Sequence, residues 1–276
     1  MTGMLKRRMA SLSRVTAFTP VVGLRSALRV QWDFRERARG KVRPAGAPLV
    51  KLSLKGVPHP FYFRRASSDS FVIEEVFVTG AYESAAAEPN VRFVVDCGAN
   101  IGCTAVYFLN KYPDAHVVAV EPDPENFALC RKNLEPYGDR VTLINAGVWS
   151  EETGLKIERV GEANQGEWSY EVRPCRAGEA ADTHAVSLGS VLRKSPSGEI
   201  DVLKVDIEKS ERVVFGEHTD SWLPKVRYVI IELHDDECIR AFEDASARHG
   251  LRVERADSLW AARRGPAESR APHETP

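Results

Sequence analysis

From residue 91 onward, short apolar runs alternate with segments whose apolar positions recur at helical spacing, the pattern of βαβ units on a mainly parallel sheet. The runs VRFVVDC (91–97), AHVVAVE (115–121), RVTLINA (140–146), DVLKVDI (201–207) and RYVIIEL (227–233) are rich in Val and Ile, as strands buried on both faces should be. They predict five parallel strands in a doubly wound α/β fold. Between the first two, Ile101, Ala105, Phe108, Leu109 and Tyr112 share one helical face; in the next segment Phe127, Cys130, Leu134 and Tyr137 do so, with Gly138 as the stop. After the fifth run, DDECIRAFEDASARHG predicts a helix with Ile239, Phe242 and Ala245 inward and Gly250 at its end, and LRVERA and LWAARR predict a closing hairpin.

The stretch 151–185 breaks this rhythm. GLKIERV and WSYEVRP read as two strands of a small lid or rim, the expected place for substrate contacts. Upstream, a hairpin around LVKLSLKGVPHPFYFRR and a helix in SDSFVIEEVFVTGAY form a preamble. The expected organisation is a basic arm over 1–48, helical or partly disordered, a preamble over 49–90 that packs on the core, an α/β domain over 91–264, and a Pro-rich polar tail over 265–276 that is disordered.

A net charge of −1 gives no global bias toward nucleic acid or acidic substrates, but its distribution is uneven. Residues 1–45 hold eleven Lys/Arg against Asp33 and Glu36. Such an arm is read first as a solvated or packing helix, with contact to anionic lipid or nucleic acid as the less favoured reading. Five cysteines without a C-x-x-C pair suit reduced core thiols. No run approaches the roughly 18 apolar residues that cross a bilayer, and TAFTPVVGLRSAL is broken by Pro20 and Arg25, so no signal peptide is expected. The expected location is cytoplasmic.

The stretch VVDCGANIG (94–102) carries the candidate chemistry. A strand, a glycine loop and a helix in that order are expected to leave free backbone N–H groups and a helix N-terminus facing an anionic group. A dinucleotide calls for G-x-G-x-x-G, whereas Asn100 stands here where a central glycine would, although Asn tolerates left-handed backbone. The carboxylate of Asp96 would repel a pyrophosphate and attract an ammonium, which points to the methionine half of S-adenosylmethionine rather than to NAD. Glu121, at the end of the second run, is placed to accept hydrogen bonds from both ribose hydroxyls. The third run ends in Asn145, Ala146, Gly147 and Val148, small enough to pass close to an adenine ring. Cys97 reads more simply as a packed thiol.

The stretches VVDCGANIG, VVAVEPDPENFALCRKNL, NAGVWSEETG and VLKVDIEKSERVVFG, with FYFRRASSDSFVIEEVF (61–77) ahead of them, resemble the FkbM-type family of class I S-adenosylmethionine-dependent methyltransferases. The resemblance extends over residues 50–255 or so. It implies a seven-stranded Rossmann-like sheet with helices on both faces and the last strand antiparallel. It implies cofactor contacts at Asp96, Gly98, Asn100, Gly102 and Glu121, and further ones at Asn126 and in the loop of Ala146, Gly147 and Val148. Members follow the fourth strand with D-x-E-G-x-E, whereas this chain reads Asp206-Ile207-Glu208-Lys209-Ser210-Glu211. Lys209 in place of that glycine would narrow the pocket, contact substrate, or mark a member with altered or weakened activity.

Methyl transfer is an in-line displacement at a sulfonium, so the enzyme aligns acceptor and cofactor and removes a proton when the acceptor is a hydroxyl. Asp206, Glu208, Glu232 and His234 lie at the ends of strands that face one crevice in such a sheet. His234 is the first choice as general base, its unperturbed pKa lying near neutrality, with Asp206 and Glu208 beside it; a histidine that merely closes the sheet is the competing reading. Asp206 with Glu232 or Asp235 would be the ligands of a Mg²⁺ if one took part, but a metal is not favoured. The expected acceptor, a hydroxyl on a sugar, glycan or other small natural product, rests on the resemblance alone. The alternatives are a non-catalytic S-adenosylmethionine-binding protein, which Lys209 keeps open, and a nucleic-acid methyltransferase using the basic arm. Against the latter, the chain has no N-P-P-Y or D-P-P-Y motif.

Overall fold

The computed structural model describes residues 3–39, 47–159 and 170–264. The N-terminal arm is a helix, α1 (Gly3–Arg37), interrupted at Gly23, where φ 73° and ψ 157° are not helical. Its buried residues Phe18, Val22, Ala27, Val30 and Phe34 join the core formed with the preamble. The preamble is an antiparallel hairpin of β1 (Val50–Leu52) and β2 (Phe61–Phe63), followed by α2 (Asp69–Ile73). That helix widens into a π-helical turn over Glu74–Thr79 and stops at Gly80, in the left-handed conformation that glycine adopts freely.

The α/β part runs β3 (Phe93–Cys97), α3 (Cys103–Lys111), β4 (His116–Val120), α4 (Pro124–Leu134) and β5 (Val141–Ile144). It continues through β6 (Gly147–Trp149), β7 (Gly154–Arg159), β8 (Tyr170–Pro174), β9 (Thr183–Ser187), α5 (Leu188–Leu192) and β10 (Ile200–Val205). It ends with α6 (Glu211–Gly216), β11 (Val226–Ile231), α7 (Asp236–Arg248), β12 (Leu251–Ala256) and β13 (Leu259–Arg264). The main sheet has seven strands in the order β12-β13-β11-β10-β3-β4-β5; β13 is antiparallel to both neighbours, and the five strands from β11 to β5 are mutually parallel. This is the Rossmann-like doubly wound class. Successive residues of each inner strand face opposite cores: Val94 and Ile230 pack with α1, the preamble and α3, while Val95 and Ile231 pack with α6 and α7. The chain reverses its direction of winding between β3 and β10, so their carboxyl ends flank a crevice.

Three sequence expectations change. In α4 the buried residues are Asn126, Leu129, Cys130, Asn133 and Leu134, with Phe127 only half-buried. Two asparagines turn inward because each finds polar partners at the preamble: the Asn133 amide donates to the Tyr62 and Ile101 carbonyls and accepts from the Tyr62 N–H. The helix also ends at Leu134, two residues before Pro136, and Gly138 sits in the turn beyond it. In α7, Cys238 is buried and Ile239 only half-buried. The insertion is larger than a two-stranded lid, because β7 and β8 pair with each other and β7 pairs with β9, which in turn runs parallel to β6. The residues of the expected tail lie outside those described, and no helix of the described residues is long and apolar enough to cross a membrane.

Candidate active site

The loop after β3 is held from within. Gly98 and Ala99 N–H donate to the Val120 carbonyl, Asn100 N–H to Glu121 Oε2 at 2.8 Å, Ile101 N–H to the Asn100 side chain, and Gly102 N–H to the Ala99 carbonyl. All five are spent, which corrects the expectation of free donors for an anion. The loop from Gly98 to Gly102 therefore offers a pyrophosphate no free N–H, which weighs against the dinucleotide mode of binding at this loop. Gly98, at φ 78°, is fixed by a close approach: a Cβ there would lie 1.8 Å from the backbone oxygen of Asp206. Asn100, at φ 50°, adopts the left-handed turn expected of it.

Asp96 is fully buried and lines no cavity of the crevice. The ammonium that it was expected to attract belongs to the chain itself. Lys204, next to the carboxyl end of β10, places Nζ 3.2 Å from Asp96 Oδ1 as an ion pair without the alignment of a hydrogen bond, and donates to the Gly98 carbonyl at 2.6 Å. Burial opposes charge on Lys204, but Asp96 outweighs it and holds the amine well above its ordinary pKa. Gly102 likewise lines neither cavity; it begins α3 at φ 88° and faces Cys130. Ala146 is buried, whereas Gly98, Asn100, Glu121, Asn126, Gly147 and Val148 all line one cavity on the β4 and β5 side of the crevice. Of the nine expected cofactor residues, those six come together.

Glu121 is 5% exposed and accepts from two N–H groups, those of Asn100 and Asp123. Burial pushes its carboxyl up to about 7 despite those bonds. Each oxygen accepts a single bond and so keeps capacity for a further donor, and the residue lines the cavity. Asn126 is anchored by Arg64, which also makes a two-pronged buried ion pair with Asp69 of α2. The preamble thus braces the cavity wall.

A second cavity, of about 320 Å³, shares Gly98, Asn100, Asp206 and Glu208 with the first and extends toward the preamble. Its further walls are Phe71, Glu75 and Tyr82 from the preamble and Glu232 and His234 from the end of β11. All three expected catalytic residues therefore meet at this place. His234 Nε2 lies 3.7 Å from Asp206 and 3.5 Å from Glu208, and Nδ1 lies 3.2 Å from the buried Glu211. Burial alone would lower its pKa, but the Glu211 carboxylate, with Asp206 and Glu208, pushes it up to about 9. The three carboxylates thus favour the charged form of His234, which weighs against it as the resting general base. Burial instead pushes Glu208 and Glu232 up to about 7.

Asp206, Glu232 and His234 offer ligand atoms within 4.8 Å of one another, a set able to hold a cation. Asp235 does not belong to it, because its carboxylate caps α7 by accepting from Cys238 N–H. The Lys204 ammonium, 3.8 Å from Asp206, and the charged His234 oppose a second positive charge there.

Lys209 lines neither cavity. Its φ of 69° explains why glycine suits the position, and its ammonium reaches Glu171 of β8 at 2.6 Å, tying the loop after β10 to the inserted sheet. A Lys209→Gly variant is expected to melt close to the parent, since relief of left-handed backbone offsets loss of a partly exposed ion pair. Amide exchange across β7 and β8 should rise in that variant; unchanged exchange would show that the pair does not hold the insertion.

Sequence reasoning missed Lys204, Glu75, Tyr82 and Arg64. Only Lys204 carried a signal, as the one charge inside the apolar run VLKV. Arg64 and Glu75 fall inside FYFRRASSDSFVIEEVF, which carried the resemblance without giving either a role, and Tyr82 lies beyond it.

The seven-stranded doubly wound sheet thus carries two adjoining cavities at its switch point, one lined by Glu121, Asn126 and Gly147 and the other by acids. The family described as the methyltransferase FkbM domain matches residues 96–248, and the chain belongs to it. Methyltransferase sdnD of Sordaria araneosa is 30% identical over 224 residues, 69% of this chain and 85% of that protein. The 31-O-demethyl-FK506 methyltransferase FkbM of Streptomyces tacrolimicus is 28% identical over 199 residues, 62% of this chain and 76% of its own. Among solved structures, the S-adenosylhomocysteine-bound methyltransferase PaMTH1 of Podospora anserina aligns at a TM-score of 0.38 and 14% identity, covering 74% of this chain and 80% of that one.

Proposed function

We propose that the first cavity binds S-adenosylmethionine and that the second presents a hydroxyl of a sugar, glycan or other small natural product for O-methylation. Glu121 takes the ribose hydroxyls, Asn126, Gly147 and Val148 flank the nucleoside, and Asp206 and Glu208 stand between the two cavities, where methyl donor and acceptor meet. The observation that carries this reading is the shared wall of the two cavities, lined by carboxylates positioned to accept a hydroxyl proton. Glu208 is the proton acceptor, and charged His234 orients it. Oxygen as the target is supported by the relative whose name places its methyl group on the 31-O position of FK506. No step is routed through a metal, although Asp206, Glu232 and His234 are the residues that would hold one, where it would polarise the hydroxyl.

Calorimetric titration with S-adenosylhomocysteine and with NAD tests the cofactor. The former alone should bind, in the micromolar range or tighter, and a Glu121→Ala variant that remains folded should lose it. Binding of NAD, or of neither ligand, would sink the reading. Because the ribose hydroxyls need an ionised acceptor, affinity should rise as pH passes upward through about 7. A group with pKa near 7 implies about tenfold weaker binding at pH 6 than at pH 8, and Glu121→Gln should flatten that dependence.

A further inference from the structure

After its break at Gly23, α1 runs along the protein surface with one face buried through Ala27, Val30 and Phe34. The opposite face carries Leu24, Leu28 and Trp32, which are 57%, 53% and 54% exposed and are the exposed large hydrophobic residues among those described. At 3.6 residues per turn their spacing keeps them within an arc of about 80°. Arg25, Arg29 and Arg35 are exposed on the same side, and Arg25 and Arg29 have no ion-pair or hydrogen-bond partner among the described residues. Both acids of this segment are withdrawn from that face. Asp33 is 1% exposed and accepts from Ala66 N–H, while Glu36 pairs with Arg65, whose guanidinium in turn lies over the Trp32 ring at 5.0 Å.

We propose that this face of α1 docks on an anionic lipid surface. Leucines and a tryptophan flanked by arginines form the combination that inserts an apolar stripe at the headgroup boundary while guanidinium groups stay at the phosphates. A second copy of the chain would oppose these arginines with its own, and a nucleic acid would leave three large apolar side chains in water. The arm's basic charge, spread along the sequence, acquires a direction only through the helix that sorts it.

The test is co-sedimentation of the full chain with vesicles of phosphatidylcholine alone and of phosphatidylcholine mixed with phosphatidylglycerol. Binding should require the anionic lipid and fall with added salt. An Arg25→Glu/Arg29→Glu variant should lose about fivefold per arginine or more, and Leu28→Gln/Trp32→Ser should lose binding at unchanged charge. Both variants should keep the parent's thermal midpoint and its affinity for S-adenosylhomocysteine, which separates this proposal from the cofactor reading. Equal binding to neutral vesicles, no binding to either, retention by duplex nucleic acid that Leu28→Gln/Trp32→Ser leaves intact, or a dimer that this variant dissolves would each overturn it.

Discussion

A Gly98→Ala variant is expected to lose affinity for S-adenosylhomocysteine altogether and to unfold well below the parent's midpoint. The left-handed backbone alone would cost about 1–2 kcal/mol for a residue with a Cβ. The larger effect is steric. The new carbon would lie 1.8 Å from a backbone oxygen, that of Asp206, which has no rotamer by which to move away. The ends of β3 and β10 would have to part, breaking the bond from Asp206 N–H to the Cys97 carbonyl and displacing the residue that stands between the cavities. A total above about 4 kcal/mol is the expected order. Gly216→Ala, at a position with open space around it, is the matched control and should be nearly silent in the same melting and titration experiments.

Lys204→Met should cost about 3–5 kcal/mol in denaturant unfolding, because it strands the fully buried carboxylate of Asp96 without a counter-charge. The diagnostic is the double change. Lys204→Met with Asp96→Asn removes both charges and should recover much of the loss, whereas two unrelated core defects would add. If Lys204→Met alone were neutral, the pair would not be ionised, and the account of the β3 terminus given above would be wrong.

The sheet was legible because its strands are buried on both faces and therefore written as apolar runs. Periodicity placed β3, β4, β10 and β11 to within a residue or two and found the closing hairpin. It misjudged α4 because a rule that equates buried with apolar cannot see asparagines that turn inward to satisfy a neighbouring hairpin. Glu121 and Asn100 were found, but the purpose of the loop was half-read: its N–H groups serve the loop's own shape. Asp96 was recognised as needing an ammonium. Pairing across the sheet with Lys204 lies 108 residues away in the chain, and register decides it, not motif. His234 was placed beside Asp206 and Glu208 as expected, but the buried Glu211 at its other ring nitrogen, which favours the charged imidazole, is visible only in the folded chain.

Half of the second cavity's private wall comes from one short stretch: Phe71, Val72, Glu75, Val76 and Tyr82 fall within twelve consecutive residues and face Ala99, Thr104, Lys204, Glu232 and His234, while the wall shared with the first cavity comes from the loops after β3 and β10. On the proposed reading, part of the acceptor's recognition is inherited on a piece of sequence separable from the methyl donor's seat. Exchange of residues 71–82 between relatives would then transplant a taste for one acceptor or another while leaving the donor's seat untouched, and a lineage of such enzymes has a cheap route to new products.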